Sequence, residues 1–452
     1  MNQALAAIFV VLFQFSTLLA QDAPGKSGPP SASAKTGAQL PASGATPPTP
    51  TTPPPQTSGK DTPQGGPAQA PAPPDYSQEA YVVEHYSESM RFENDGSGVI
   101  QTDAQIKIVS ESGVQALGQL KVGYSALSDK LDIQYVRVHK PDGTVVVAQE
   151  SAIQDLTFPD APVYTDYHEK HISVPSLRPG DVLEYRFVRT IASPLSPGQF
   201  WTSFNFAEKG IVLDEELEIN VPKDRQIKLK TKPGYDPKIT EEGDRRIYRW
   251  THSHLKDDDQ DAKAKKKKAS NPEDEIPSVQ LTTYKSWEEL GAWYGGLERD
   301  RRVPDDTVKA EAATLVKGKN DDMAKVNALY EYVSLNIRYV SLSFGLGRYQ
   351  PHAASEVLAN GYGDCKDHVV LMQAMLAALG IRAEAALIDQ GSRTRDLPLW
   401  LPQFNHVVAY LPDFDVYANP TTPYARFAST TVLSASIRSR LAKRAYGLVG
   451  LA

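Results

Sequence analysis

One short segment of the chain combines residue types that could perform nucleophilic chemistry. Residues 361–363 are rich in glycine, Asp364 and Cys365 follow them, and an apolar run, Val369–Leu379, comes shortly afterwards. This order predicts a helix that begins at Cys365 with Asp364 as its N-cap. Because unpaired N–H groups and the positive dipole end of a helix start stabilise a thiolate, we expect the pKa of the Cys365 thiol to be lowered. The same N–H groups would supply half of an oxyanion hole.

A thiolate nucleophile needs a base, and His406 is the best placed of the nine histidines. It begins a strand-like apolar run, which would hold the imidazole firmly. Asn419 ends the next strand-like run, and two neighbouring antiparallel strands would bring its amide oxygen to the imidazole. The residues predict a triad in which Cys365 attacks a carbonyl group, His406 moves the proton and Asn419 orients the imidazole. Asp413 and Asp415 are nearby substitutes for Asn419.

The chain has a single cysteine, so Cys365 cannot form a disulfide within it. Free cysteines are among the most buried residue types, and the simplest alternative is that Cys365 packs as a small apolar residue beneath a helix start. Its polar neighbours, its place at a helix start and the later histidine and asparagine favour the reactive interpretation.

Two other groups of residues could indicate a metal ion. His168 and His171 lie three residues apart in a strand-rich region, without the helical spacing of zinc hydrolases. His352, Asp364 and His368 form the second group, and bound zinc would argue against the thiol mechanism. The sequence has no calcium loop of spaced carboxylates. We therefore expect neither a metal ion nor another cofactor.

The elements around the reactive segment show a helical period first and a strand period second. Ser286 and Glu289 form a capping box, which predicts a helix start. A later segment carries one apolar stripe at helical spacing, formed by Val326, Leu329, Val333 and Ile337. Strand-like runs follow the helix that begins at Cys365, at Ala383–Ile388 and from His406 onward. The order predicts an α+β domain over residues 278–452.

The preceding residues, 76–255, alternate with a period of two, as in Leu183, Tyr185 and Phe187 with charged residues between them. Turn sequences such as Asn94–Gly96 separate the runs. This pattern predicts an antiparallel β-sandwich domain. A charged linker over residues 256–277 would join it to the α+β domain.

The first residues indicate export. Residues 1–20 carry no charged side chain and include an apolar block, which predicts a cleaved signal peptide. Residues 21–75 hold 15 of the 34 prolines and one large apolar residue, so we expect a disordered linker. The protein would be periplasmic or secreted. Anchoring in a membrane by residues 4–20 is the alternative if the signal segment is not cleaved, and membrane contact is expected only then.

The charge of the chain argues against a nucleic-acid partner. The formal net charge of -7 reflects 55 acidic and 48 basic residues. The one dense basic run, Lys263–Lys268, lies beside acidic stretches that neutralise it locally.

Three segments together resemble the transglutaminase-like superfamily: Gly363–Asp367, Asn405–Val407 and Asn419–Thr421. Bacterial members of that family show Gly-Asp-Cys-Lys-Asp opening a helix, then Asn-His-Val on one strand and Asp-Pro-Thr on the next. The similarity extends over residues 278–424 and includes Tyr349–Pro351, which looks like the family's upstream active-site wall. The resemblance implies a papain-like α+β catalytic domain. The preceding β region is similar to the domain of unknown function that commonly precedes this domain in exported bacterial proteins.

The chain departs from the family pattern in two ways. Asn419 stands where the family usually has aspartate, so it can accept the imidazole N–H but cannot stabilise an imidazolium by charge. Family members often continue into further strands beyond the position of Tyr424, so we expect a catalytic domain that is truncated at its C-terminus.

The favoured function is hydrolysis of a peptide, protein or cell-wall amide bond through a thioester. Cross-linking of glutamine to lysine side chains is the alternative within the same chemistry. The alternative from another class is a catalytically silent extracytoplasmic binding or assembly protein, which would use the β domain to bind a protein partner.

Overall fold

The computed structural model describes residues 75–157, 164–256, 277–388 and 404–421. The predicted signal peptide and the two predicted linkers, apart from their boundary residues 75, 256 and 277, lie outside the described residues. The residues after Tyr424, on which the predicted truncation depends, lie outside them as well. No helix within these four ranges is long and apolar enough to span a membrane.

The described part of the first region, here called the β region, consists almost entirely of strands, with one short α-helix and a single 3₁₀ turn at Glu150–Ala152. Its elements in chain order are β1 (Tyr81–Phe92), β2 (Gly98–Ile108), α1 (Glu111–Leu117), β3 (Gln119–Ser125), β4 (Asp129–His139), β5 (Val145–Val147), β6 (Ile153–Thr157), β7 (Tyr164–Thr165), β8 (Tyr167–Ser173), β9 (Val182–Ile191), β10 (Trp201–Phe204), β11 (Ile211–Pro222), β12 (Lys228–Thr231), β13 (Lys238–Glu242), β14 (Arg245–His254) and β15 (Val279–Thr282).

Eight of these strands form one sheet in the order β13-β14-β11-β1-β2-β9-β4-β5. All of its neighbouring pairs are antiparallel except β1 and β11, which run parallel because the chain passes through other sheets between them. Two smaller sheets have the orders β3-β8-β6 and β10-β15-β12. The three sheets contribute side chains to one hydrophobic core, which includes Met90, Leu120, Ile172, Phe204 and Leu281.

The period of two is confirmed in β9, where Leu183, Tyr185 and Phe187 are buried and their neighbours are less so. The predicted turn at Asn94–Gly96 is also present. Gly96 has a φ of +89°, and a Cβ atom there would lie 2.5 Å from the carbonyl oxygen of Gln199. Only glycine combines that backbone angle with that close approach.

The second region begins with helices and ends with a sheet, as predicted. Its elements are α2 (Trp287–Glu298), α3 (Asp306–Leu315), α4 (Asp322–Asn336), β16 (Arg338–Tyr339), β17 (Leu342–Ser343), a 3₁₀ turn (Gly345–Arg348), α5 (Ala354–Asn360), β18 (Tyr362–Gly363), α6 (Cys365–Ala377), β19 (Glu384–Ile388), β20 (His406–Leu411) and β21 (Val416–Ala418). The strands β19, β20 and β21 form an antiparallel sheet in that order.

Local signals explain where the helices of this region lie. Ser286 caps α2 by accepting the Glu289 N–H at 3.2 Å, and Glu289 accepts the Lys285 N–H in return. The predicted stripe of α4 is buried along its length. The helix α6 is buried from Lys366 to Leu376, and it packs against α4, α5 and β20. Cys365 therefore begins the central helix of this region.

Glu298 at the end of α2 gives the region a pH-dependent stability. Its side chain is 1% exposed, and burial raises its pKa to about 7, although Arg302 at 3.6 Å opposes this shift. Because the folded-state pKa lies above the unfolded value, Glu298 destabilises the fold increasingly as pH rises towards 7 and fully above it. We expect Glu298→Gln to gain about 3 kcal/mol of unfolding free energy, relative to the natural chain, between pH 5 and pH 8.

Urea denaturation of both proteins at the two pH values measures this gain. Glu384→Gln is the matched control, because Glu384 also contacts Arg302 but is partly exposed. An equal stability difference at pH 5 and pH 8 for Glu298→Gln would contradict the assignment.

Candidate active site

The nucleophile candidate stands at a capped helix start, as predicted. Asp364 is the N-cap of α6, and its side chain accepts the N–H groups of Lys366 at 3.1 Å and Asp367 at 3.4 Å. In return, Asp367 accepts the Asp364 N–H at 3.0 Å. This reciprocal capping box fixes the backbone on both sides of Cys365.

The sulfur of Cys365 lies against the first residues of β20. The backbone N–H groups of Val407 and Lys366 lower the pKa of the Cys365 thiol, because they favour a thiolate at this position. Tyr339 lies near this residue, since burial and then the charge of a Cys365 thiolate raise the pKa of the Tyr339 hydroxyl.

The predicted lowering of the thiol pKa is wrong. Burial and then the carboxylate of Asp364 raise the pKa of Cys365 to about 12, although the Lys366 ammonium and the backbone N–H groups of Val407 and Lys366 oppose them. The cost of removing a thiolate from water therefore exceeds the stabilisation by the helix start. The sequence pattern showed the helix start but did not show how far tertiary packing removes the partly buried Cys365 side chain from water.

His406 is the first residue of β20, and Asn419 directly follows β21, the antiparallel neighbour of β20. Their side chains are in contact. The Nε2 atom of His406 is 3.1 Å from Oδ1 of Asn419. An amide oxygen only accepts, so Nε2 carries the proton and Nδ1 keeps a lone pair for a second proton. The Asn419 oxygen also accepts the Thr421 hydroxyl at 2.7 Å, which fixes its position.

The environment of His406 favours the neutral imidazole. Burial lowers its pKa, the hydrogen bond to Asn419 raises it, and the nearby His368 lowers it again. Since the thiol pKa of Cys365 is raised, both groups are neutral near pH 7. His406 must therefore remove the proton of the neutral Cys365 thiol while the sulfur attacks the carbonyl carbon.

Asp364 and Lys366 form a buried ion pair beside the sulfur. Both residues are 4% exposed. The lysine ammonium balances the carboxylate charge that would otherwise repel a developing thiolate more strongly. The sequence motif contained both residues, but it did not reveal that they pair with each other.

The substitutes proposed for Asn419 have other partners. Asp413 forms an ion pair with Arg382, and Asp415 accepts the Tyr410 hydroxyl at 3.1 Å. Neither has a described hydrogen bond to His406, so Asn419 is the described partner of the imidazole.

Tyr339 was missed as a neighbour of Cys365, and His352 and His368 were considered only as metal ligands. The ring of His368 lies between the carbonyl oxygens of Asp364 at 2.7 Å and Ile337 at 3.0 Å, and its centroid is 5.8 Å from that of Tyr339. His352 contacts Asp367, as described below. The parallel pairing of β16 with β18, at Tyr339 and Gly363, could not be read from two-residue strands.

The two strand histidines considered as metal ligands, His168 and His171, have protein partners. His168 lies 3.0 Å from Asp155, and His171 lies 3.0 Å from Glu169. Over the part of the chain that the structure describes, no group of three or more His, Cys, Asp or Glu side chains is arranged to hold a metal ion.

Two family models match the chain. Residues 94–258 match the DUF3857 domain of unknown function, and residues 309–389 match the transglutaminase-like superfamily. The second match includes Cys365 and ends before His406 and Asn419. No curated protein is similar enough to this chain to count as a relative.

Among solved structures, the chain is similar to a Parabacteroides distasonis protein described as a "putative protease". The two share 18% identity and a TM-score of 0.58, over 75% of this chain and 67% of the other. An M1 zinc metallopeptidase from Deinococcus radiodurans shares 11% identity, with a TM-score of 0.23, over 45% of this chain and 42% of that one. Legionella pneumophila aminopeptidase A shares 8% identity, with a TM-score of 0.24, over 46% and 22%. Only the first similarity carries weight, and it concerns the fold alone.

Proposed function

Residues 309–389 belong to the transglutaminase-like superfamily, and on this premise we propose that the protein is a cysteine hydrolase of peptide or other amide bonds. Cys365, His406 and Asn419 form its triad. One observation carries the proposal: the His406–Asn419 hydrogen bond of 3.1 Å lies at the start of β20, the strand that packs against the helix begun by Cys365.

The proposed reaction has two steps. The Cys365 sulfur attacks the amide carbon while its proton passes to Nδ1 of His406, and the same proton then goes to the leaving amine as the C–N bond breaks. A water molecule next attacks the thioester, His406 takes and returns its proton, and the C–S bond breaks to release the acid. Asn419 keeps the imidazole in the tautomer that both steps need.

Acylation of Cys365 tests the proposal. We expect p-nitrophenyl acetate to give a burst of one acetyl group per chain, localised to Cys365 by intact mass and peptide mapping, followed by slow hydrolysis. Cys365→Ala should lose the burst, and His406→Ala should slow it by about a hundredfold, because general base catalysis contributes at least that much. His171→Ala is the matched control and should keep the rate. An unchanged burst rate in His406→Ala would contradict the triad.

A peptide-amide library, read by mass spectrometry, then identifies the bond that is hydrolysed. Cross-linking is tested in the same reaction by adding a primary amine. Incorporation of the amine into acceptor glutamines at a rate above hydrolysis would favour acyl transfer.

A silent binding or assembly protein is the second candidate, and a specific observation favours it. The raised pKa of Cys365 and the lowered pKa of His406 keep both groups neutral. A natural chain that shows no acetyl burst, while it remains folded, would make this candidate the better one. The β region would then be the binding element.

We propose that the protein acts outside the cytoplasm, in the periplasm or after secretion, because residues 1–20 resemble a signal peptide. Amino-terminal sequencing of the mature protein would show cleavage after residue 20 and exclude an uncleaved anchor.

We further propose a sandwich arrangement for the β sheets and a papain-like arrangement for the catalytic region. The substrate would be a peptide, protein or cell-wall amide.

A further inference from the structure

We propose that Asp166 of the β region is a positioning residue for the active site. It holds residues 344–352, the segment that contains Tyr349–Pro351 and is called the wall from here on, in place against the nucleophile helix α6. This inference rests on the proposed function in one respect, since it treats Cys365 as the reacting group. It assigns the β region a direct part in building the catalytic site.

Asp166 is a buried carboxylate whose bonds cross from one region to the other. It is 4% exposed. Its Oδ1 atom accepts the Gly345 N–H at 3.0 Å and Nη2 of Arg348 at 3.0 Å. Arg348 Nη2 also donates to the Ser125 hydroxyl, at 2.6 Å, on the end of β3. A buried guanidinium that loses its carboxylate partner is strongly destabilised in that position, so this contact fixes the wall at its first turn.

The backbone around Asp166 supports the same attachment. Strand β7, directly before Asp166, pairs in parallel with β17, directly before the wall. The Ala126 N–H donates to the Asp166 carbonyl oxygen at 2.9 Å, which ties Asp166 to the turn after β3. Leu127 of that turn packs on Gly345, where a Cβ atom would lie 3.2 Å from the leucine side chain. The wall thus joins the β region through backbone pairing, packing and an ion pair.

The other end of the wall is attached to the nucleophile helix. The His352 N–H donates to Asp367 Oδ1 at 2.8 Å, and His352 Nδ1 lies 3.1 Å from Asp367 Oδ2. Asp367 is 0% exposed and also accepts the Asp364 N–H. One carboxylate therefore joins the wall to the residue that precedes Cys365. Between the two ends, the ring of Tyr349 packs against Trp293 of α2, with centroids 5.4 Å apart.

The wall is a short segment held by a carboxylate at each end, Asp166 on the β region and Asp367 on the nucleophile helix. A segment attached at one end only would move about that end. The contact of His352 with Asp367, which also accepts the Asp364 N–H, would then weaken and open the helix start to water. Since burial is the largest cause of the raised Cys365 pKa, loosening the wall should make the thiol easier to ionise. Thiol reactivity therefore reports the position of the wall.

The variant Asp166→Asn tests this proposal in the full-length chain, because it keeps the size of the side chain and removes its charge. We expect iodoacetamide to alkylate Cys365 about tenfold faster at pH 8 than in the natural chain, with the pH profile moved to lower pH. The acetyl burst should become slower, because the site is less well formed. Asp181→Asn is the matched control, since Asp181 is equally buried and pairs with Lys140 within the β region.

An unchanged alkylation profile in Asp166→Asn would overturn the proposal, and so would an equal change in Asp181→Asn, which would indicate general loosening of the β region. If Asp166→Asn does not fold, Ser125→Ala removes one partner of Arg348 at lower cost and should move the profile in the same direction. The two hypotheses fail separately. A natural chain without an acetyl burst contradicts the hydrolase, whereas a moved alkylation profile in Asp166→Asn still supports the anchor.

Discussion

In the unliganded protein at pH 7.5, we expect iodoacetamide to alkylate Cys365 about a thousandfold more slowly than it alkylates a small free thiol, whose pKa is near 8.5. Only the thiolate reacts, and burial together with Asp364 raises the pKa of Cys365 to about 12. The rate should rise about tenfold with each pH unit up to pH 10. Intact mass of samples quenched over time measures it, because Cys365 is the only cysteine.

The protein must stay folded during this measurement. Above about pH 8.5 the thiol of an unfolded chain ionises while the folded thiol does not, so rising pH favours unfolding. Circular dichroism at each pH value is the control. A rate at neutral pH equal to that of a free thiol, in folded protein, would contradict the burial of the sulfur.

The variant His406→Ala separates two mechanisms in the same experiment. If the resting pair were an imidazolium beside a thiolate, loss of His406 would raise the thiol pKa. Since the structure favours a neutral pair, we expect the alkylation profile of His406→Ala to match that of the natural chain. Thiol reactivity therefore does not distinguish a hydrolase with a general base from a silent protein, and acylation by an activated ester does.

The sequence alone was sufficient to predict the features of the site that depend on residues close together in the chain. Asp364 predicted the start of α6 because an N-cap side chain bonds to amides only two and three residues away. His406 and Asn419 could be placed together because β20 and β21 are consecutive antiparallel strands, in which Ala409 pairs with Ala418. Short distances along the chain make such contacts predictable.

Features that depend on distant parts of the chain were not predictable in this way. The thiol pKa was predicted in the wrong direction because the burial that raises it depends on elements distant along the chain, such as β20, which packs against α6. The Asp166–Arg348 pair joins residues that are 182 positions apart, and neither belongs to a pattern that indicates a partner. A single sequence shows which residues are charged, but not which charges become buried together.

Asn419 supplies the remaining test, because the related family usually has aspartate there. The oxygen Oδ1 of Asn419 lies among donors: His406 Nε2 at 3.1 Å, the Thr421 hydroxyl at 2.7 Å and the Thr421 N–H at 3.4 Å. A carboxylate would keep all three bonds and add a negative charge beside the imidazole. In Asn419→Asp we therefore expect the pKa of His406 to rise and the maximal acylation rate to rise about tenfold.

The pH profile of acylation shows whether this charge acts through His406. Because the base must be neutral to accept a proton, a higher pKa moves the acid limb to higher pH. Asn419→Asp should therefore lose its advantage as pH falls towards the new pKa and gain on the natural chain above it. Asn405→Asp adds the same charge one residue before His406 and serves as the matched control, which should not move the limb. An acid limb that stays in place in Asn419→Asp would mean that Asn419 does not govern the imidazole, and the proposed triad would lose its third member.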